Sequence, residues 1–325
     1  MNIFLTGGAG YIGSAAAQTL LDAGHQVTVY DSLVKGYRAA VPAEARFIQA
    51  DLADLEALHG ALSSETYDAV MHFAAFIEAG ESMRLPGKYF RNNLALSCGL
   101  IEAVAEVGIP RFVLSSTASL YASSEDPLTE DSTIGPNNVY GQTKLMIEQV
   151  LNWYYQIHGL HYAALRYFNA AGALTERGEA HRPETHLIPL VLQVALGQRE
   201  DIKIFGVDYP TPDGTCIRDY IHIADLVQAH LLALDALGSS DQLVYNLGNG
   251  AGYSVREVIE MARHVTGHAI PATEAPRRPG DPPRLVADSS KIRRELNWQP
   301  QYPDLESILL SAWNWHSQHP NGYES

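Results

Sequence analysis

Asn2-Ile3-Phe4-Leu5-Thr6-Gly7-Gly8-Ala9-Gly10-Tyr11-Ile12-Gly13 opens the chain, and its reading decides the fold. Asn2 to Leu5 is a short apolar run of strand type. Glycines at 7, 10 and 13 follow at once, and Ala15, Ala16, Leu20 and Leu21 then recur at helical spacing until Gly24. The order is strand, glycine turn, helix. Gly7 and Gly10 permit a tight turn and the close approach of a pyrophosphate. Gly13 lets the helix lie against the strand, and the helix N-terminus offers unpaired N–H donors to the anion. Tyr11 and Ile12, inside the turn, are taken with the glycines as dinucleotide contacts. A second strand, Gln26 to Tyr30, ends at Asp31. A carboxylate there accepts an adenosine 2′-hydroxyl and repels a 2′-phosphate, which favours NAD over NADP.

Working outward, the alternation continues. Arg46 to Ala50 reads as a strand ending at Asp51-Leu52, a pair placed to flank the adenine. Asp68 to Ala75 is the next strand. Phe73, Ala74 and Ala75 lie at its carboxyl end, where small residues let a cofactor pass. His72 in that run reads as a core histidine. A long helix between Pro86 and Gly108 carries Asn92, a further cofactor candidate, and Asn93. Arg111 to Thr117 is the fifth strand. Alternating β and α elements give an α/β fold, a doubly wound parallel sheet with helices on both faces.

The totals restrict what such a protein binds. Twenty-two Lys and Arg against 37 Asp and Glu give a net charge of −15 in 325 residues. That excess argues against nucleic acid and anionic membranes as partners. Cys98 and Cys216 are far apart and fit neither a disulfide framework nor a zinc spacing, so no metal is expected. An apolar strand beginning at residue 2 leaves no room for a signal peptide, and the Leu187 to Leu196 run is too short to cross a bilayer. A cytoplasmic location is the expectation.

The chemistry is placed at Val139-Tyr140-Gly141-Gln142-Thr143-Lys144. Leu145, Met146, Ile147, Val150 and Leu151 follow at a spacing that suits one buried helical face. Tyr140 and Lys144 are four apart, so phenol and ammonium stack one turn apart. A free Tyr has a pKa of about 10, and a neighbouring cation favours the phenolate. Bringing it to roughly 6–7 takes about 4–5 kcal/mol. One ammonium at ~4 Å supplies on the order of 1–4 kcal/mol, so a second positive charge, such as an oxidised nicotinamide ring, is needed. Ser115, Ser116 and Thr117 end the fifth strand, where open α/β sheets hold ligands. Thr117 is the candidate to hold the substrate oxygen that Tyr140 deprotonates, and Ser115 a candidate cofactor contact. In the C-terminal half, Arg218 and Arg278 stand on Pro/Gly-rich loops of an acidic chain. They suggest a diphosphate clamp, with Asp281 accepting from a ribose hydroxyl.

The glycine spacing and Tyr-x-x-x-Lys together resemble the extended short-chain dehydrogenase/reductase superfamily. Nearly the whole chain is similar to its UDP-glucose 4-epimerases. The resemblance is carried by the TGGAGYIGS start, Gly80-Glu81-Ser82, YFNAAGA, FGVDYPTPDGTCIRDYIH, APRRPGD and ELNW. It implies tightly held NAD, a UDP-hexose substrate, inversion at C4 and a homodimer. It puts Thr117, Tyr140 and Lys144 on catalytic positions. Phe168, Asn169, Leu187, Phe205, Arg218, Tyr220, Arg278 and Asp281 fall on nucleotide-sugar positions, Phe168 also serving the cofactor. The implied division is an NAD-binding Rossmann-like domain at 1–168. A smaller α/β nucleotide-sugar domain spans most of 169–325, with some chain returning to the first. Ala118 and Ser119 stand where the superfamily's dehydratases carry an Asp-Glu pair, which argues against loss of water. Ile77 replaces a Lys that reaches the cofactor ribose. His186 replaces an Asn beside the substrate phosphate, and Thr117 replaces a Ser. Leu285 occupies the gate that sets the size of sugar admitted. The alternatives are an epimerase of another UDP-sugar (an N-acetylhexosamine or a pentose), an NAD-dependent nucleotide-sugar reductase or dehydrogenase, and a non-catalytic NAD(H) sensor.

Overall fold

The computed structural model describes residues 1–278 and 281–324. Pro279 and Gly280 of the Arg278 loop lie outside them. Strands β1 (Asn2–Thr6), β2 (Gln26–Asp31), β3 (Arg46–Gln49), β4 (Ala69–His72), β5 (Arg111–Thr117) and β6 (His161–Tyr167) join the strand Gln242–Leu247 in a seven-stranded sheet. The order is β3-β2-β1-β4-β5-β6 and then Gln242–Leu247. The pairs β3–β2, β2–β1, β1–β4 and β4–β5 are parallel. Ile3, Phe4 and Leu5, and Ala69, Val70 and Met71, are wholly buried, as a parallel sheet covered on both faces requires.

The strand order reverses at β1, which has β2 on one side and β4 on the other. Registers Thr6 to Tyr30 and Thr6 to His72 bring the three strand ends to one edge. Ligands of open α/β sheets bind at such a switch point. Against one face pack the helices Leu55–Ser63, Leu96–Val107 and Val139–His158, through Leu58, Leu62, Leu100, Val104, Ile147 and Leu151 on Phe4, Val70 and Phe112. Each such side chain stabilises by roughly 1.5–3 kcal/mol, so Ile147 and Leu151 fix the rotation of the long helix.

Two compact units share the chain. The first comprises Met1–Leu120, Ile134–Arg166 and Val227–Tyr245. The second comprises Tyr121–Thr133, Tyr167–Leu226 and Asn246–Ser325. In the second, the helices Leu187–Ala195, Val255–Thr266 and Leu305–Gln318 surround Ile188, Val191, Leu192, Ile204, Ile259, Ile308 and Leu309. Three stretches read from the sequence as loops are regular here, and Arg218 stands on a strand, Ile217–Arg218, rather than on a loop. Ile202–Phe205 is a strand paired with Ala272–Ala275, and Leu187 begins a helix that holds Pro189 in its first turn. A proline N–H is not needed there. The strand escapes sequence reading because its partner lies about seventy residues away. Trp315 is buried in the second unit. Among the described residues no helix is long and apolar enough to cross a membrane.

Candidate active site

The glycine turn is built by close approach. Gly7 has φ +76°, and a Cβ there would lie 2.5 Å from the Ala74 nitrogen. A Cβ on Gly13 would lie 2.1 Å from the Gly7 oxygen. Both glycines are therefore demanded by the protein itself. Gly10 differs: its Cβ would meet only the Gly7 oxygen, at 3.4 Å. Gly10 caps the helix Tyr11–Asp22 without any side-chain cap bond, so the helix N-terminus is left without a capping side chain. That arrangement fits a diphosphate. Asp31 is nearly buried, and its two oxygens accept from the backbone N–H groups of Ala9 (2.9 Å) and Leu33 (2.8 Å). Burial raises its pKa, and those two bonds oppose the rise. Each oxygen keeps a lone pair for a ribose hydroxyl.

The other expected cofactor residues are spread around that edge. Asp51 is exposed, whereas Leu52 packs into the core cluster. Phe73, Ala74 and Ala75 follow β4 half-buried, with the Phe73 ring 5.1 Å from that of His230. Asn92 donates to Asn93 Oδ1 at 3.0 Å. Ile77 is half-buried; beside it Lys35 bonds Glu78 at 2.9 Å. His72 is a core histidine as expected. It is held between Thr6 Oγ1 (2.7 Å) and Ser97 Oγ (2.8 Å), and burial, then Lys144, brings its pKa down to about 3.

The helix Val139–His158 starts at Asn138, whose side chain accepts from Gly141 N–H at 2.8 Å. Its buried face is Tyr140, Gly141, Thr143, Lys144, Ile147, Glu148 and Leu151, while Leu145, Met146 and Val150 are only half-buried. The expected apolar face is thus a mixed one, with three ionisable groups at successive turns. Tyr140 is 8% exposed and Thr117 6%. The Thr117 hydroxyl lowers the pKa of the phenol, against burial, and accepts from Ser119 N–H at 3.1 Å. Burial pushes the Tyr140 pKa up to about 12 against the pull of that hydroxyl. The Lys144 ammonium donates to the Ser115 carbonyl at 2.7 Å. Burial brings its pKa down to about 8, while Glu148 pulls the other way. Phenol and ammonium share one buried face, but among the described residues no hydrogen bond joins them.

Several supporting residues are assigned no role by the sequence. Ser82 Oγ accepts from Tyr140 N–H at 3.1 Å. Asn93 is fully buried and clamps the loop after β4, bonding Phe76 N and O at 2.9 Å each. Glu148 accepts from Ser116 of β5 and takes a bidentate bond from Arg166 of β6, with Nη2 at 2.6 Å. Only its i+4 spacing from Lys144 was available to single it out.

The second unit brings some of the expected nucleotide-sugar residues into two groups. In one, the Arg278 guanidinium lies 3.9 Å over the Phe205 ring. In the other, Arg218 donates to the carbonyls of Ile217 (2.9 Å) and Pro282 (2.8 Å), lies 3.6 Å from Asp281, and pairs in register with Leu285. Asn169 pairs with Tyr220 and donates to the Asp219 carbonyl at 2.8 Å. Tyr220 is buried, which raises its pKa. Phe168 is buried, its N–H bonded to the Leu247 carbonyl at 3.2 Å. His186 caps the helix that Leu187 opens. Burial lowers the His186 pKa, but the Glu179 and Glu184 carboxylates override it and hold the imidazole charged.

Residues 3–248 match the family model described as NAD dependent epimerase/dehydratase family. The UDP-glucose 4-epimerase of Halalkalibacterium halodurans is 49% identical over 329 residues, covering 100% of this chain and 98% of the relative. A crystal structure of a UDP-glucose 4-epimerase superposes with TM-score 0.96 at 50% identity, covering 100% of both chains. The UDP-glucose 4-epimerase from Brucella ovis, solved in complex with NAD, superposes with TM-score 0.92 at 41% identity over 96% of this chain and 97% of its own. The chain belongs to the NAD-dependent epimerase/dehydratase family, among its UDP-glucose 4-epimerases.

Proposed function

We propose that the protein inverts C4 of a UDP-hexose, interconverting UDP-glucose and UDP-galactose through a transient 4-keto sugar. The observation that supports this most directly is the buried trio Thr117, Tyr140 and Lys144 on the same sheet scaffold as an uncapped glycine turn. When bound, NAD supplies the hydride acceptor and, in its oxidised ring, a positive charge. Gly7, Gly10, Gly13 and Asp31 are the residues to hold it. Thr117, fixed by Ser119 N–H, orients the phenol. Tyr140 Oη takes the proton of the sugar 4-hydroxyl and later returns it to the same oxygen. Burial keeps water out and opposes ionisation, so the phenolate forms only while a cation is near.

Arg218 and Arg278 grip the diphosphate, and Asp281 the ribose, in this reading. A guanidinium already fixed by two carbonyls loses little freedom on binding phosphate. A firm hold on UDP leaves the sugar free to present its other face. Leu285, branched and unpolar at the expected gate, sets the range of sugars. The protein acts in the cytoplasm and pairs with a second copy through the helices Leu96–Val107 and Val139–His158. Supporting the pairing, Trp153 and Ile157 are 60% and 67% exposed on one stripe of the latter.

The test is to incubate purified protein with UDP-galactose and no added cofactor, then separate the products. UDP-glucose formed without NADH release is expected. NADH accumulating in step with turnover identifies a dehydrogenase and ends this reading. UDP-N-acetylgalactosamine and UDP-arabinopyranose in the same panel define the sugar.

A further inference from the structure

In the second unit, four chemistry-bearing side chains converge. They are Glu179, His181, Glu184 and His186, and one ligating atom of each lies within 4.8 Å of all the others. Glu179 Oε1 is 2.9 Å from His181 Nδ1 and 2.7 Å from His186 Nδ1. His186 Nδ1 is in turn 2.8 Å from Glu184 Oε1. Two imidazole nitrogens and two carboxylate oxygens thus point at one small volume.

We propose that this cluster is a divalent transition-metal site of His2Glu2 type, with zinc as its natural probe. Two neutral imidazoles and two carboxylates carry a net charge of −2, which a divalent cation neutralises. Imidazole nitrogen and carboxylate oxygen are established zinc ligands, and four of them complete a closed, tetrahedral structural set. Glu179 is 5% exposed; its charge is balanced by His186 at 2.7 Å in the metal-free chain, and a bound cation takes that place as the imidazole gives up its proton.

The surroundings are braced as a metal site requires. Gly178 is pressed on Trp315, since a Cβ there would lie 2.2 Å from Trp315 Cδ2. The Tyr323 hydroxyl bonds both Gly178 N (3.1 Å) and Gly178 O (3.2 Å). Glu184 Oε1 also accepts from the N–H groups of Thr185 (2.7 Å) and His186 (2.8 Å), so its position is set by the backbone. A metal here cross-links the segment 179–186 just before the helix Leu187–Ala195. The role assigned is structural: it fixes the entry of that helix, and no step of the epimerisation passes through it.

The experiment uses the untagged full-length chain, treated with chelator and then dialysed free of it. Isothermal titration with Zn²⁺ should show one saturable site per chain, and stoichiometric Zn²⁺ should raise the melting temperature. Co²⁺ bound at the same stoichiometry should give the visible bands of a tetrahedral centre. His181→Ala, and separately Glu184→Gln, should each weaken Zn²⁺ binding at least tenfold. Metal-free melting of both variants checks that they fold, and either folded variant suffices. No saturable binding at one equivalent, or binding that neither folded variant alters, overturns the proposal. In that case the four side chains are an ion-paired network with a protonated histidine. Because the readouts are metal affinity and melting, they stand apart from the epimerase assay.

Discussion

The ammonium of Lys144 donates to the carbonyl oxygen of Ser115 at 2.7 Å, across 29 residues of sequence. The bond ties the helix that carries Tyr140 to the end of β5. It also holds a positive charge, weakened by burial, beside the expected cofactor site. Lys144→Met should lower turnover by about 10²–10³-fold and reduce the NAD retained through purification. Lys144→Arg should not rescue it, because a planar guanidinium does not fit a space shaped for one ammonium. The check is initial rate together with NAD released on denaturation. A Lys144→Met enzyme within threefold of wild type would contradict the role.

Tyr140→Phe removes the proton carrier and leaves the ring packed. Expected is a loss of about 10²–10⁴-fold in turnover with cofactor content unchanged. Burial pushes the phenol up to about 12, so reaching neutral pH takes roughly 7 kcal/mol at 1.36 kcal/mol per unit. The oxidised holoenzyme should therefore show a far lower phenol pKa than the apoenzyme, read by ultraviolet difference titration. Equal values in the two forms would remove the electrostatic account.

Gly10 and Gly13 should respond differently to the same methyl group. Gly13→Ala puts a Cβ 2.1 Å from the Gly7 oxygen, and Gly10→Ala one only 3.4 Å from it. Gly13→Ala should destabilise the fold by about 1–3 kcal/mol. Gly10→Ala should melt within a few degrees of wild type yet bind NAD at least tenfold more weakly. Melting curves and NAD titration separate the two, and an unchanged NAD affinity in Gly10→Ala argues against a diphosphate there.

The buried Glu148–Arg166 pair, bonded at 2.6 Å, is a further target. Glu148→Leu leaves a guanidinium without its counter-charge and should cost about 3–5 kcal/mol. Arg166→Met combined with Glu148→Leu should recover much of that. Urea denaturation of the four proteins in the cycle provides the measurement, and simple additivity would mean that the two do not act as a pair.

Buried neutral histidines predict acid sensitivity. His72 titrates at about 3 rather than 6.5 because burial, and then Lys144, disfavours its cation. Between those values the unfolded chain holds a proton that the folded chain lacks. Stability is therefore unaffected above pH 6.5 and falls as pH drops below it, by about 2 kcal/mol at pH 5 from this one group. His222 and His316, each lowered to about 4 by burial, act in the same direction. His72→Gln should flatten the fall in melting temperature between pH 7 and pH 5, and an unchanged slope would show that other groups control it.

Much of the first unit was legible before any coordinates. The glycine turn, the carboxylate at Asp31, the strand ends at Phe73 and Thr117 and the Tyr140–Lys144 spacing are local patterns, and strand and helix periods follow from neighbours in sequence. The second unit was less so. Ile202–Phe205 is a strand only because Ala272–Ala275 lies beside it, and the helix at Leu187 was hidden by its proline.

By itself the sequence determined the βα alternation and the dinucleotide preference, and it supplied the pair proposed to carry the proton, because glycine conformations, hydrophobic period and i,i+4 spacing are properties of short stretches. Only the tertiary structure decided where charge is held. It brought Ser115 to Lys144, Ser82 to Tyr140 across 58 residues, and Arg166 to Glu148 across 18. It also focused Glu179, His181, Glu184 and His186 on one point. Buried polar groups must find partners wherever the fold supplies them, and no local rule in the chain names which partner that will be.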